Sequence, residues 1–169
     1  MALDALDLAL VQATISRALR RGGDFAEVFV EDRDGLTLRL EDGRLEQVAG
    51  GRECGAGVRL LNGEHTYYAH TDALDETSLA AAADAVAAAL RDAGAAGPVT
   101  DLGGVRTETG RHPVLVPPDQ VDVARKAALV HAADDEARAA GAEVVQVVAG
   151  YADARQEVLI ANSLGEVVR

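Results

Sequence analysis

Cys54-Gly55-Ala56-Gly57-Val58-Arg59-Leu60-Leu61-Asn62-Gly63-Glu64-His65-Thr66-Tyr67-Tyr68-Ala69-His70-Thr71 is the stretch on which the fold turns. Two β-prone runs, 54–61 and 64–71, flank Asn62-Gly63, a dipeptide that tolerates positive φ and reads as a two-residue hairpin turn. Upstream the pattern repeats. In residues 25–32, Ala26, Val28 and Val30 alternate with Phe25, Glu27, Phe29 and Glu31. Leu36, Leu38 and Leu40 alternate with Thr37, Arg39 and Glu41, as in a half-buried strand. Asp34-Gly35 and Asp42-Gly43 read as two further turns, with 44–49 as another strand. Five short strands in an antiparallel meander are therefore expected between 25 and 71.

Helices bracket this block. Leu8, Val11, Ile15 and Leu19 recur at helical spacing, so a first helix is expected over about 4–21, stopped by Gly22-Gly23. Asp75 reads as the N-cap of a second, Ala-rich helix with Leu79, Ala83, Val86 and Leu90 as its apolar stripe and Gly94 as its end. Residues 95–118 lose periodicity and read as a loop or linker, either disordered in part or packing as an extended arm through Val114-Leu115-Val116. Asp119 after two prolines reads as the N-cap of a third helix, running to about Ala140 with Val121, Ala128, Leu129, Ala132 and Ala133 offered for burial. Strands over 143–151 and 155–161, a turn over 162–165 and the start of one more strand complete the chain. The class is α+β: a curved antiparallel sheet of about five to eight strands, with two or three helices packed mainly on one face.

Composition narrows the chemistry. The 169 residues carry 16 Lys and Arg against 28 Asp and Glu, a formal charge of -12, and the pI is near 4.6. That balance argues against nucleic acid or an anionic membrane as a direct partner. Aromatic residues make up 3% with no Trp, too few for a stacking platform. No 18-residue apolar run is present, a single Cys cannot form an internal disulfide, and the first residues are acidic where a signal peptide is basic, so a cytoplasmic protein is expected. The chain ends within a strand element and reads as cut from a longer protein.

No catalytic cluster emerges from spacing. His65 and His70 are five apart on one strand and so face opposite ways. His131 and Asp135 share a helix face but make two ligands where zinc needs about three protein ligands. No His is followed by Glu, so the His-Glu-x-x-His metallopeptidase helix is absent. Cys54 reads as a core residue. Gly55-x-Gly57 lacks the third glycine and the following helix of a phosphate loop, and marks a bulge or a close backbone approach. The best candidate interaction surface is the strand end Tyr67, Tyr68, His70, Thr71 and Asp72. An exposed edge of such a sheet can also bind an extended chain by strand addition.

The segment Gly55-Ala56-Gly57-Val58-Arg59-Leu60-Leu61-Asn62-Gly63, then Tyr68-Ala69-His70-Thr71-Asp72 and an Ala-rich helix, resembles the N-terminal domain of the TldD/PmbA family. These are metallopeptidases once described as modulators of DNA gyrase. Lys126, Leu129, Asp134, Ala137-Arg138 and the turn Asn162-Ser163-Leu164-Gly165 agree with the same family in order. The Tyr-Ala-x-Thr-Asp pattern is more similar to the TldD branch than to the PmbA branch. The resemblance implies one N-terminal domain over 1–169: 1–94 as helix, meander and helix, 95–118 as loop, and 119–169 as helix plus strands. It implies a non-catalytic part of a zinc metallopeptidase that acts on unfolded peptides, contributing to subunit assembly and the substrate chamber beside a PmbA-like partner subunit. Zinc is implied for a His-Glu-x-x-x-His helix in the C-terminal part, so this chain holds no cofactor and is inactive alone. The N-terminal domain of the PmbA-like partner, or a self-contained protein-interaction module, are the alternatives.

Overall fold

The computed structural model describes Leu3 and residues 6–90, 96–103 and 114–169. The element order is α1 (Leu8–Ala18), β1 (Phe25–Glu41), β2 (Arg44–Asn62), β3 (His65–Thr71), α2 (Glu76–Ala89), a 3-10 turn (Pro118–Gln120), α3 (Val123–Ala139), β4 (Val148–Asn162) and β5 (Val167–Val168). The strands form one open sheet in the order β3-β2-β1-β4-β5. Ser163 N–H donates to Ala26 C=O, and Asp42 N–H to Val147 C=O, so β4 runs antiparallel to β1. The class is α+β, as the sequence pattern implies.

The strands are fewer and longer than expected. Asp34-Gly35 is not a turn: neither residue has positive φ, and β1 runs straight through them. A Cβ on Gly35 would stand 3.4 Å from the Asp153 carbonyl, in ordinary contact with β4, so this position does not reverse the chain. Likewise 44–49 and 54–61 belong to a single β2, and 143–151 and 155–161 are replaced by a single β4 that begins at Val148. The Asp42-Gly43 turn forms, with both residues at positive φ. The second hairpin forms one residue later than expected: Asn62 ends β2 and pairs with His65, so the turn residues are Gly63, at positive φ, and Glu64.

The described residues fall into two compact units. The first draws on 1–32, 53–110 and 157–169, the second on 33–52 and 111–156. In the first unit, α1 starts at Asp7, whose carboxylate accepts the Ala9 N–H at 2.9 Å, and stops before Gly22 and Gly23, both at positive φ. Asp75 caps α2 through the Ser78 N–H. Its stripe of Leu79, Ala83, Val86 and Leu90 is buried as expected, while Gly94 lies outside the described residues. The core joins Val11, Ile15 and Leu19 of the α1 region to Val28, Val30, Val58, Leu60 and Leu159 of the sheet. Each such side chain contributes about 1.5–3 kcal/mol on burial. The small residues of α2 let it lie close to α1, and Arg17 grips Asp84 with two hydrogen bonds where the helices meet. Part of the expected loop is pinned here: Gly97 N–H donates to Gly23 C=O, Thr100 N–H to Ser163 C=O, and Leu102 N–H to the Gln12 side chain.

In the second unit α3 lies with the distal parts of β1, β2 and β4. Its N-cap is Asp122, not Asp119, which sits in the preceding 3-10 turn. The residues offered for burial are also different. Ala128, Leu129, Ala132 and Ala133 are exposed, while Lys126, Val130 and Asp134 form the buried stripe, four apart. Val114, Leu115 and Val116 do not pack as an arm. Leu115 is 88% exposed.

Candidate functional site

The strand-end residues divide by the two-residue period of β3. Tyr68 and His70 share the face that also carries Arg59 and Gly57, their pairing partners on β2. Tyr68 is 63% exposed, and its ring stacks with that of His70 at 6.3 Å between centroids and 22° between planes. A Cβ on Gly57 would run into the Tyr68 ring and hydroxyl, so the glycine is the floor on which the tyrosine lies. Gly55 is a second close approach, with the Thr71 carbonyl 2.8 Å from where a Cβ would stand. Arg59 Nε is 2.9 Å from Glu27 Oε1 on β1, an ion pair whose angle is not that of a hydrogen bond. Tyr67 and its neighbour Ala69 point the other way and pack on the core. Thr71 is occupied with the turn: its hydroxyl accepts the Ala73 N–H and donates to the Ala73 C=O. Asp72 is exposed. Of the five candidates, the structure brings together Tyr68 and His70. Cys54 is half-buried, and His65 and His131 are exposed on separate elements.

A polar cluster that the spacing of apolar residues does not reveal lies under α3. The Lys126 side chain is 4% exposed, and its ammonium sits 2.7 Å from Asp153 Oδ2 and 5.9 Å from the centre of the Tyr151 ring. The Tyr151 hydroxyl donates to the same Asp153 oxygen at 2.5 Å. Burial pushes the Asp153 carboxyl upward. The hydrogen bonds from Lys126 and Tyr151, with the Lys126 charge, outweigh it and hold the carboxyl below its ordinary value. Tyr151 is raised, first by its bond to Asp153, then by burial and by the neighbouring negative charge.

Two turns further along the helix Asp134 accepts from Arg138 at 3.0 Å, and Arg138 also donates to Asp42 at 2.7 Å. The Arg138 bond is the main reason that the Asp42 carboxyl is held low, with the Val147 N–H second. The second Asp134 oxygen is buried and meets no hydrogen-bond partner among the described residues. Arg155 donates to Asp119 at 3.0 Å and ties β4 to the turn before α3. The sequence signal for this cluster was the four-residue spacing Lys126, Val130, Asp134, Arg138, which puts charged groups in the stripe normally read for apolar ones.

These groups fasten a helix to a sheet. An ammonium held by a carboxylate is not a nucleophile, and no group of three or more His, Cys, Asp and Glu that could hold a metal occurs among the described residues. The donors present there do not fit a zinc ion.

Comparison with known proteins places this architecture. Residues 26–93 match the family model of PmbA/TldA metallopeptidase domain 1, and residues 116–169 match that of the PmbA/TldA metallopeptidase central domain. The chain belongs to the TldD/PmbA metallopeptidase family. It is 28% identical over 142 residues to a metalloprotease TldD homolog of Haemophilus influenzae, covering 83% of this chain and 29% of that protein. Among solved structures, a protein described as a modulator of DNA gyrase from Bacteroides thetaiotaomicron superposes with a TM-score of 0.70 at 18% identity, over 94% of this chain and 37% of that one. TldE from Thermococcus kodakarensis gives 0.59 at 15% identity, over 94% and 37%. These two likenesses speak to the fold. The chain spans about a third of the length of these relatives.

Proposed function

We propose that this chain is the non-catalytic N-terminal part of a TldD-type zinc metallopeptidase acting on unfolded peptides, and that it serves subunit assembly and the walls of the substrate chamber. The observation that carries the reading is the ordered match to domain 1 and the central domain of the family, on a chain whose described residues offer no metal-ligating cluster. Zinc, which polarises a peptide carbonyl and activates water, belongs in this reading to the C-terminal part of the parent protein. A PmbA-like subunit is the partner, and the cytoplasm is the compartment. No helix among the described residues is long and apolar enough to cross a membrane. With its charge of -12 the chain has no direct business with DNA, so any effect on gyrase runs through proteolysis of other proteins.

The test compares the chain with its full-length parent. The expected result is that the parent, purified without chelators, carries zinc and cleaves unfolded peptides when mixed with its PmbA-like partner, while residues 1–169 do neither. Stoichiometric zinc on residues 1–169, with peptidase activity lost on changing His65 or His131, overturns the proposal. A second reading is the scaffold subunit of the PmbA type, since the matched family models cover both branches. It replaces the first if the parent reading frame lacks a His-Glu-x-x-x-His segment.

A further inference from the structure

The chain has two asparagines, Asn62 before Gly63 and Asn162 before Ser163. An asparagine followed by glycine is open to cyclisation, because glycine has no side chain to shield its backbone nitrogen. The chemistry at Asn62 would run as follows. The Gly63 nitrogen gives its proton to solvent base and attacks Asn62 Cγ. The new N–C bond forms, the Cγ–Nδ2 bond breaks, and Nδ2 takes up a proton and leaves as ammonia. Water then adds to either carbonyl of the cyclic imide and opens it to aspartate or isoaspartate. Nothing lies within 4 Å of where a Cβ of Gly63 would stand, and Gly63 and Glu64 are exposed, so solvent reaches this turn.

The attacking nitrogen is occupied. Gly63 N–H donates to Asp24 Oδ2 at 2.6 Å, and Asp24 is itself anchored through its own N–H to the Leu61 C=O at 2.8 Å. A carboxylate at that distance opposes a negative charge on the nitrogen, and the bond must break before the nitrogen can turn toward Cγ. Asn62 adds a second restraint, since it still belongs to β2 and pairs with His65. We propose that Asn62 is a deamidation site that the folded chain keeps closed, with Asp24 as the positioning residue that holds the Gly63 nitrogen away from it. The cost of opening it falls on the candidate surface. Isoaspartate adds a methylene to the main chain at the end of β2, and the same hairpin sets Tyr68 against Arg59 and His70 against Gly57. Asn162 is the internal contrast. It is 8% exposed, its Nδ2 donates to Glu166, and the nitrogen that follows it, that of Ser163, donates to the Ala26 C=O within the sheet.

The test incubates the intact chain in mildly alkaline buffer and follows both asparagines by peptide mass spectrometry, with chromatography separating aspartate from isoaspartate. The folded parent chain converts Asn62 slowly, and about tenfold faster or more in urea. Asp24→Ala, still folded, converts Asn62 about tenfold faster than the parent, the equivalent of one lost hydrogen bond to a charged group. Asp24→Asn keeps an acceptor oxygen without the charge and falls between the two. In Asp24→Ala, hydrogen exchange rises at the Gly63 amide while the amides of α1 and α2 exchange as in the parent. Circular dichroism matched to the parent shows that each variant folds, and Asp24→Asn alone carries the comparison if Asp24→Ala does not. An unchanged or slower rate in the variants overturns the proposal. So does a parent chain that reacts as fast folded as in urea, or an equal acceleration at Asn162, which marks general loosening. None of these outcomes touches the zinc and peptidase comparison above.

Discussion

Replacing Lys126 with Met isolates one of the two charged residues buried along α3, Lys126 and Asp134. Met keeps the apolar stem and drops the ammonium, leaving Asp153 with only the Tyr151 hydroxyl. Breaking a fully buried ion pair by removing one partner costs about 3–5 kcal/mol. The Asp153 side chain retains 16% exposure, and this water access lowers the expected loss to roughly 2–3 kcal/mol at pH 7. The pH dependence has a definite sign. In the parent chain the Asp153 carboxyl is held below its ordinary 3.8, so its stabilisation is present at pH values above 3.8 and lost as pH falls through the lower folded value. Without Lys126 the burial that pushes the carboxyl upward is no longer outweighed. Protonation then relieves the variant, and its deficit narrows on acidification. Lys126→Met with Asp153→Leu removes both charges and recovers most of the loss. Urea unfolding at several pH values, with hydrogen exchange read over Val123–Ala139, measures all three effects. A loss under about 0.5 kcal/mol at neutral pH, or a double variant as unstable as the single, refutes the idea that the pair fastens α3.

Leu60→Ala, at a fully buried site in the first unit, lowers stability by about 2–5 kcal/mol in denaturant unfolding. Gly57→Val drives a side chain into the Tyr68 ring and lowers the melting temperature, and Tyr68→Ala added to it recovers much of the shift. Val130→Ala removes the only fully apolar member of the α3 stripe and costs about 2 kcal/mol, read as faster exchange of α3 amides. Treatment with a strong chelator leaves the melting temperature of residues 1–169 unchanged, as checked by calorimetry.

The local signals that named their own physical cause were read correctly. Asp75 with Leu79, Ala83, Val86 and Leu90 defines a capped amphipathic helix, and α2 is that helix. Asn62-Gly63 marks the β2–β3 hairpin to within one residue: Gly63 takes the positive φ, while Asn62 pairs with His65 and leaves Glu64 as the second turn residue. Asp34-Gly35 has the same composition as the Asp42-Gly43 turn yet lies inside β1, because pairing with strands distant in sequence, not the dipeptide, decides where the chain reverses. The α3 stripe departs from its apolar pattern for a related reason. Apolar periodicity assumes that buried means apolar, whereas Lys126 and Asp134 are buried by partners on β4 and on the helix itself, which no local window contains. The candidate surface at the end of β3 was half legible. Strand alternation separates Tyr68 and His70 from Tyr67, but the role of Gly57 as their floor needs the register across the hairpin.

The bonds between Ala26 and Ser163 span 137 positions of sequence. The central strand β1 leaves the ribosome more than a hundred residues before the end of its second neighbour, β4. Until Ser163 has emerged, one flank of β1 stands bare beside an already formed hairpin, a template for any passing strand. Joining ends so far apart makes sheet completion a late and slow event, after the local hairpins and helices. A chain halted shortly before residue 163 should therefore be captured by chaperones or aggregate, although nearly all of its core residues have been made.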